Sequence, residues 1–256
     1  SEEDYEDTNI SAYSNRILAI EKSRLNEEKS SEFFTHLGNS KRPLIYFGGG
    51  VISASASKEL REFVDYFNLP AVSTLMGLGA VDTRHPSSLH MLGMHGTPYA
   101  NYAVQESDFL IAIGSRFDDR VAGVPEKFAP KAKVIAHFDV DPSEINKVKN
   151  AAWSHLGVLS LALKDLIKHA KSNDLEFNFG DWLSHTGELK SKYPLNFNRS
   201  SDLIQPEHVI ECINKITKGE AIVTTGVGQH QMWAAQYFDF KEPRLWLTSG
   251  SMGTMG

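Results

Sequence analysis

The run Gly114-Ser115-Arg116-Phe117-Asp118-Asp119-Arg120 carries the densest chemistry in the chain. Two guanidinium groups four residues apart can clamp a diphosphate or a carboxylate through paired N–H donors. The same charges, Arg116, Asp118, Asp119 and Arg120, can instead close into an ion-pair set of their own, and the run alone leaves both readings open. Gly226-Val227-Gly228-Gln229-His230-Gln231 sets amide and imidazole donors where a helix should begin, which suits a diphosphate or a plain turn. Leu44-Ile45-Tyr46-Phe47 runs into Gly48-Gly49-Gly50, where missing Cβ atoms let a ligand approach the backbone. That signal is weak by itself, because the full G-x-G-x-x-G spacing and a P-loop lysine are both missing. Asp139, at the end of a strand-like run, can bind a ribose hydroxyl. With Asp141 it resembles the start of a calcium loop, but neither the glycine nor the closing glutamate follows. His85, His90 and His95 are spaced by five, which matches no helix or strand face and argues against a metal site. No G-x-S-x-G elbow or local cysteine–histidine signature supports a hydrolase.

Loops of this kind need strands to present them. Unbroken apolar runs at 44–47, 70–74, 109–114 and 133–139 predict buried parallel strands, each followed by a glycine-rich or acidic loop. Between them the pattern predicts a helix over 55–67, capped by Ser53 or Ser55, with Leu60, Phe63, Val64 and Phe67 on one face. A second helix is predicted over 97–105, capped by Thr97 with Pro98 at its first position, and another over 158–170. Residues 80–96 read as a loop. Strands alternating with helices imply an α/β fold, a doubly wound, Rossmann-like parallel sheet. The loops at 48–50, 75–79, 114–121 and 139–145 should then share one edge, with Gly49 and Arg116 on the same side.

Ahead of this unit, 1–40 reads as an acidic arm and a connecting helix over 12–38 that stops at Gly38 and Asn39. The central domain is expected over 41–171, a surface linker over 172–204, and the start of a second α/β domain over 205–256. In that last part Val209, Ile210, Ile213 and Ile216 predict a helix closed by Gly219, followed by strands at 221–225 and 244–248. Because 250–256 is a glycine-rich turn after a strand, the chain is expected to be an excerpt of a longer polypeptide.

Composition narrows the function classes. The 26 basic and 32 acidic residues leave −6, with no basic stripe, so nucleic acid is not expected as a partner. One cysteine, Cys212, excludes an internal disulfide framework and a cysteine metal cluster. No apolar run nears the roughly 20 residues that cross a bilayer, so no membrane association is expected.

Five motifs in order, Thr74-Leu-Met-Gly-Leu-Gly79, Leu92-Gly-Met-His-Gly96, Tyr99-Ala-Asn-Tyr-Ala103, Gly114-Ser-Arg-Phe-Asp-Asp-Arg-Val121 and Val227-Gly-Gln-His-Gln-Met-Trp-Ala-Ala235, resemble the acetohydroxyacid (acetolactate) synthase family. The resemblance runs from Pro43 to Gly256 and implies a thiamine-diphosphate enzyme that joins two 2-oxoacids with loss of carbon dioxide in branched-chain amino-acid biosynthesis. It implies structural FAD held by Gly48, Gly49, Thr74, Leu75, Met94, His95, Gly114, Arg116, Asp118, Arg120, Asp139 and Val140. Thiamine diphosphate is implied at Gly228, Gln229, His230, Gly253 and Met255, with Met255 beneath the thiazolium and Arg120 meeting the acceptor carboxylate. Magnesium is implied too, with its ligands beyond Gly256, as are a homodimer or tetramer and a regulatory small subunit. The implied compartment is bacterial cytoplasm, mitochondrion or chloroplast. The catalytic glutamate would lie in a domain outside this chain, so the excerpt alone should be inactive. Two positions depart from the family pattern: Gly157-Val158 stands where Gly-Asp is usual, and Gly250-Ser251 where Gly-Gly is usual. Two rivals remain, a sister thiamine enzyme such as a pyruvate oxidase and a non-catalytic nucleotide-binding module.

Overall fold

The computed structural model describes Ile20, residues 23–250 and Gly253. Helix α1 (Glu27–Gly38) opens the described fold, with the Asn26 side chain accepting from Lys29 N–H at its start. The connecting helix expected over 12–38 is not continuous: Ile20 is helical, 23–26 are not, and the Asn26 cap sets a new start at Glu27. Six strands follow: β1 (Pro43–Phe47), β2 (Ala71–Ser73), β3 (Ser88–Met91), β4 (Phe109–Ile113), β5 (Val134–Asp139) and β6 (Trp153–Leu156). They form one sheet in the order β3-β2-β1-β4-β5-β6, with every pairing parallel. This is the doubly wound order, whose direction reverses between β1 and β4.

The four predicted strands are present. Two more, β3 and β6, were not anticipated: β3 lies in the stretch expected to be a loop, and β6 falls between two recognised elements. Both are four-residue edge strands in which two of the four residues are polar, too short for a periodicity signal.

The helices fill in as α2 (Gly49–Ser53), α3 (Ser57–Phe67), α4 (Pro98–Glu106), α5 (Asp119–Ala122), α6 (Leu159–Ser172) and α7 (Gly180–Lys192). Strands β1 and β4 are buried along their whole length. Helix α3 buries Leu60, Phe63, Val64 and Phe67, the face its spacing predicted. Phe33 of α1 sits 5.3–6.2 Å from the rings of Phe34, Phe63, Phe109, Phe138 and Trp153, a cluster that joins α1, α3 and three strands. Trp153 Nε1 donates to Lys29 O at 3.0 Å, so the indole's polar end is satisfied within that apolar cluster.

Two expectations about helices need correction. Neither Ser53 nor Ser55 caps the helix after β1: the glycines themselves form the first turn of the short α2, and α3 starts at Ser57 with no side-chain cap. The stretch 172–204, expected as a linker, carries α7, which is anchored by Trp182 Nε1 donating to Pro43 O at 2.9 Å. Its buried residues are only Trp182, Thr186 and Leu189, an apolar stripe too sparse to show in the sequence.

The second unit holds α8 (Pro206–Thr217), β7 (Val223–Thr225), α9 (Gln229–Tyr237) and β8 (Trp246–Thr248), with β7 and β8 parallel. Its core is Ala234, Ala235, Phe238, Phe240 and Trp246, packed with Leu78 and Met91 of the first unit. The predicted apolar face of α8 exists in sequence but buries no residue among those described, and Ile216 is 79% exposed.

Candidate functional site

Because all six strands run the same way, every loop after a strand emerges at one edge. The loops after β1 and β4 are joined directly: Gly48 N–H donates to Ile113 O at 3.0 Å and Gly50 N–H to Gly114 O at 3.1 Å. Gly49 and Arg116 therefore lie on the same edge, as the sequence predicted. The glycines also meet a packing need that the sequence did not suggest. A Cβ on Gly48 would overlap the Gly114 carbonyl oxygen, and one on Gly50 would stand 2.8 Å from Gly114 Cα. Gly114 has φ +58 and would place its own Cβ 2.9 Å from Gly50. These positions are glycine so that two backbones can touch across the β1–β4 switch point. Gly49, the middle one, faces Met76 in the loop after β2.

Other FAD-assigned residues gather along the same edge. Thr74 N–H donates to Phe47 O at 2.9 Å, fixing the turn into Leu75. Met94 N–H donates to Arg120 O at 3.0 Å, which ties the loop after β3 to the loop after β4 and leaves the Met94 side chain 65% exposed. Val140 is exposed beside the end of β5. Asp139 is buried, and its Oδ1 accepts from Val140 N–H at 2.7 Å and Asp141 N–H at 2.9 Å, so half of this carboxylate serves its own turn.

The arginine loop answers the open question in part. Arg116 pairs with Asp118 at 3.6 Å while both remain largely solvated, a contact worth little by itself. Asp118 caps α5: the Arg120 N–H bonded to its carboxylate holds the Asp118 pKa below the usual range. The Arg120 guanidinium makes no ion pair among the described residues, and it is exposed at the edge. Phe117, held at φ +56, turns inward against Tyr46, Phe128 and His137 and so anchors the loop that carries both arginines. His137 Nε2 lies 3.0 Å from Ser115 O beneath the same loop. Burial pushes the Tyr46 phenol pKa upward, so this wall of the loop stays neutral.

Gly228, Gln229 and His230 occupy the start of α9, where Gly228 brings no side-chain cap and Gln229 and His230 are exposed. Gln231, just inside, is buried and donates to Thr248 Oγ1 at 2.6 Å and Ser249 O at 2.8 Å, locking the helix to the end of β8. Its role was not anticipated, since one glutamine in a polar run gives no hint of burial. A Cβ on Gly253 would overlap Val227, which brings this glycine next to the same loop. Met255 and Ser251 lie outside the described residues.

The two edges are neighbours. Gln236 Nε2 of α9 donates to His95 O at 2.7 Å, and a Cβ on Gly250 would sit 3.0 Å from Met76 Sδ. Met76 thus lies between Gly49 and Gly250; its position in the motif with Leu75 was the available signal. The departure at Val158 also has a visible effect: it stands at the N-cap of α6 and offers no side-chain acceptor, as an aspartate would.

Among proteins of known family, the profile described as thiamine pyrophosphate enzyme, central domain, matches residues 31–166. The profile for the C-terminal TPP binding domain of the same enzymes matches 226–256. The chain is 48% identical over 233 residues to acetolactate synthase 2, chloroplastic, of Nicotiana tabacum, covering 90% of this chain and 35% of that protein. Against acetolactate synthase 1, chloroplastic, of Zea mays it is 47% identical over 222 residues, covering 86% and 34%. The acetolactate synthase, chloroplastic, of Arabidopsis thaliana gives 47% over 222 residues, covering 86% and 33%. The chain thus spans about a third of the length of these relatives.

Proposed function

The chain belongs to the thiamine pyrophosphate enzymes, and from that premise we propose that it is the central flavin-binding domain and the beginning of the diphosphate-binding domain of an acetolactate synthase. The observation that carries the reading is the similarity to acetolactate synthases over 90% of the chain, a share large enough to take in both loop edges.

The donor sets suit the two organic cofactors. Exposed Arg116 and Arg120 beside exposed Met94 and Val140 offer charge for a diphosphate and apolar surface for a flat ring system, which fits FAD. The uncapped start of α9, with Gln229 and His230 exposed beside Gly228, suits the diphosphate of thiamine diphosphate. When bound, the thiamine ring supplies the electron sink for decarboxylating one 2-oxoacid and joining the remainder to another. The chain's own residues bind and orient. The Gln231–Thr248–Ser249 network fixes the start of α9, and Phe117 holds the arginine loop so that Arg120 can meet the carboxylate of the acceptor 2-oxoacid. No group of three or more metal-ligating side chains exists among the described residues, so we assign no magnesium ligand to them. The same reading extends to assembly of the full polypeptide as a homodimer or tetramer with a regulatory small subunit.

The test uses the full polypeptide with flavin and thiamine diphosphate saturating. Acetolactate should form from pyruvate without stoichiometric hydrogen peroxide; peroxide as the main product would replace this reading with a flavin-redox enzyme. Arg120→Lys keeps the charge and loses the planar fork. Carboligation should fall on the order of 100-fold, while single-turnover release of carbon dioxide changes far less. Equal loss in both steps would remove Arg120 from the acceptor site.

A further inference from the structure

We propose, resting on the flavin reading of the first edge, that His137 is a positioning residue: it ties the loop after β4 to Asp139, so that Arg116 and Asp139 meet the ligand as one prearranged set. His137 is fully buried and so reaches no ligand itself. Tyr46 of β1, Ala112 of β4 and His137 of β5 stand side by side in the sheet, and their side chains share one face. Ala112 leaves room between the two larger rings, and Phe117 of the arginine loop packs against both, with its ring 5.4 Å from that of Tyr46 and 5.3 Å from that of His137. Asp139 follows on the same face of β5, because side chains alternate along a strand.

The hydrogen on this imidazole has a definite place. Nε2 lies 3.0 Å from Ser115 O and 3.7 Å from Asp139 Oδ2. Both neighbours are acceptors, so Nε2 carries the hydrogen and donates it to Ser115 O. No other hydrogen bond reaches the Ser115 carbonyl among the described residues. Asp139 Oδ1 already takes the N–H groups of Val140 and Asp141, which leaves Oδ2 on the side of the imidazole. One buried side chain thus links the backbone at the base of the arginine loop with the carboxylate that ends β5.

Packing alone does not account for a histidine at this position. Its Nδ1 is buried with no hydrogen-bond partner, a cost that an apolar side chain of similar bulk would not carry. Phe117, which rests on the ring, holds φ +56, where a bulky side chain is strained. Both departures fall beneath the same loop. Local rules are broken in this way where a site must be held in one geometry at some expense in stability. The loop has few other ties between Gly114 and Asp118: Ser115 Oγ donates to Tyr46 O at 3.3 Å, and the Arg116 side chain meets only Asp118, in solvent. Without the bond from Nε2, the loop would keep its Phe117 anchor but lose the fixed distance between Arg116 and Asp139.

The test needs no turnover. The full polypeptide, saturated with thiamine diphosphate and magnesium, is titrated with FAD by flavin fluorescence for affinity, and urea denaturation reads stability. A glutamine amide can stand where Nε2 stands, whereas leucine has similar bulk and no donor. His137→Gln should keep flavin affinity within about three-fold of the wild type, and His137→Leu should weaken it about ten-fold. The urea midpoint of His137→Leu should stay near the wild-type value, because the unpartnered Nδ1 leaves with the ring. Arg116→Ala, which weakens flavin binding in the wild type, should cost no more than about three-fold in the His137→Leu background, since the arginine has already lost its placement. Should His137→Leu not fold, His137→Asn takes its place, because the shorter amide stops where Nδ1 stands and cannot reach Ser115 O. Equal loss of affinity in the glutamine and leucine variants, unchanged affinity in His137→Leu, or effects of His137→Leu and Arg116→Ala that simply multiply in the double variant would overturn the proposal. A wild type that binds no flavin would instead remove the flavin reading, and this proposal with it.

Discussion

In the first unit, the loops after β1 and β4 are held by each other: Gly50 N–H reaches Gly114 O at 3.1 Å, and the strands beneath them are buried from end to end. In the second, the start of α9 is held by its own buried Gln231 reaching the end of β8, strand β7 is only partly buried, and α8 buries nothing among the described residues. The two edges use the same principle, backbone donors delivered by parallel strands, but differ in what keeps those donors in place. The first edge is rigid because backbone touches backbone and a Cβ has no room. The second edge depends on side-chain bonds and on packing against Leu78 and Met91 of its neighbour. Within this chain, then, the first edge is held by its own backbone and the second by side-chain bonds and by its neighbour.

Hydrogen exchange should show the contrast most strongly. Amides of Leu110 to Ile113 should open only with the whole first unit, whereas those of Val223 to Thr225 should exchange about 1000-fold faster through local opening. Equal protection would mean that the two units share one cooperative core. Next in size, Gly114→Val places a branched side chain at φ +58 and into Gly50. Urea denaturation should record a loss of about 3 kcal/mol or more. Gly219→Ala, after α8 with φ +68 and Asp239 O 3.0 Å from its new Cβ, should lose nearer 1 kcal/mol. The boundary between the units supplies a pH test. Burial pushes the His90 imidazole down to about 4 from its ordinary 6.5, with Asp239 opposing the shift and Lys190 adding to it. The unfolded chain takes up that proton below pH 6.5 and the folded chain only near 4, so this contribution is complete above 6.5 and is lost as pH falls toward 4. The loss should reach about 3 kcal/mol, and His90→Asn, which tolerates the local φ of +66, should flatten it.

Much of this arrangement was legible in the sequence, and the failures have physical causes. Long apolar runs such as 109–113 revealed their strands because full burial on both faces leaves a continuous hydrophobic signature. Thr97 and Pro98 marked a helix start because capping chemistry is local, and Thr97 Oγ1 does accept from Ala100 N–H at 3.2 Å. Edge strands β3 and β6 escaped because a four-residue strand pairs with one neighbour and needs few apolar residues. Helix α7 escaped because it buries only Trp182, Thr186 and Leu189, too few to mark an apolar face. The glycines of 48–50 were recognised as meaningful, but for ligand approach; that they fit against Gly114 is a long-range fact no local pattern holds. For Arg116 and Arg120 the sequence offered a clamp or an ion-pair set. The structure gives Arg116 a solvated pair and leaves Arg120 without a close ion pair among the described residues, a distinction that depends on where Asp118 points.

The central claim is that each edge serves a different cofactor, and paired variants of the full polypeptide test it most directly. Flavin affinity, read from absorbance of the retained cofactor, and thiamine diphosphate affinity, read by calorimetry, are measured in Arg116→Ala and His230→Ala. The account predicts that Arg116→Ala weakens flavin binding by about 10- to 100-fold and leaves thiamine diphosphate binding within two-fold, roughly the loss of one charge-assisted contact. It predicts the reverse for His230→Ala, with the smaller loss, about ten-fold or less, that fits an exposed imidazole. Both variants losing the same cofactor, or neither losing any, would contradict it.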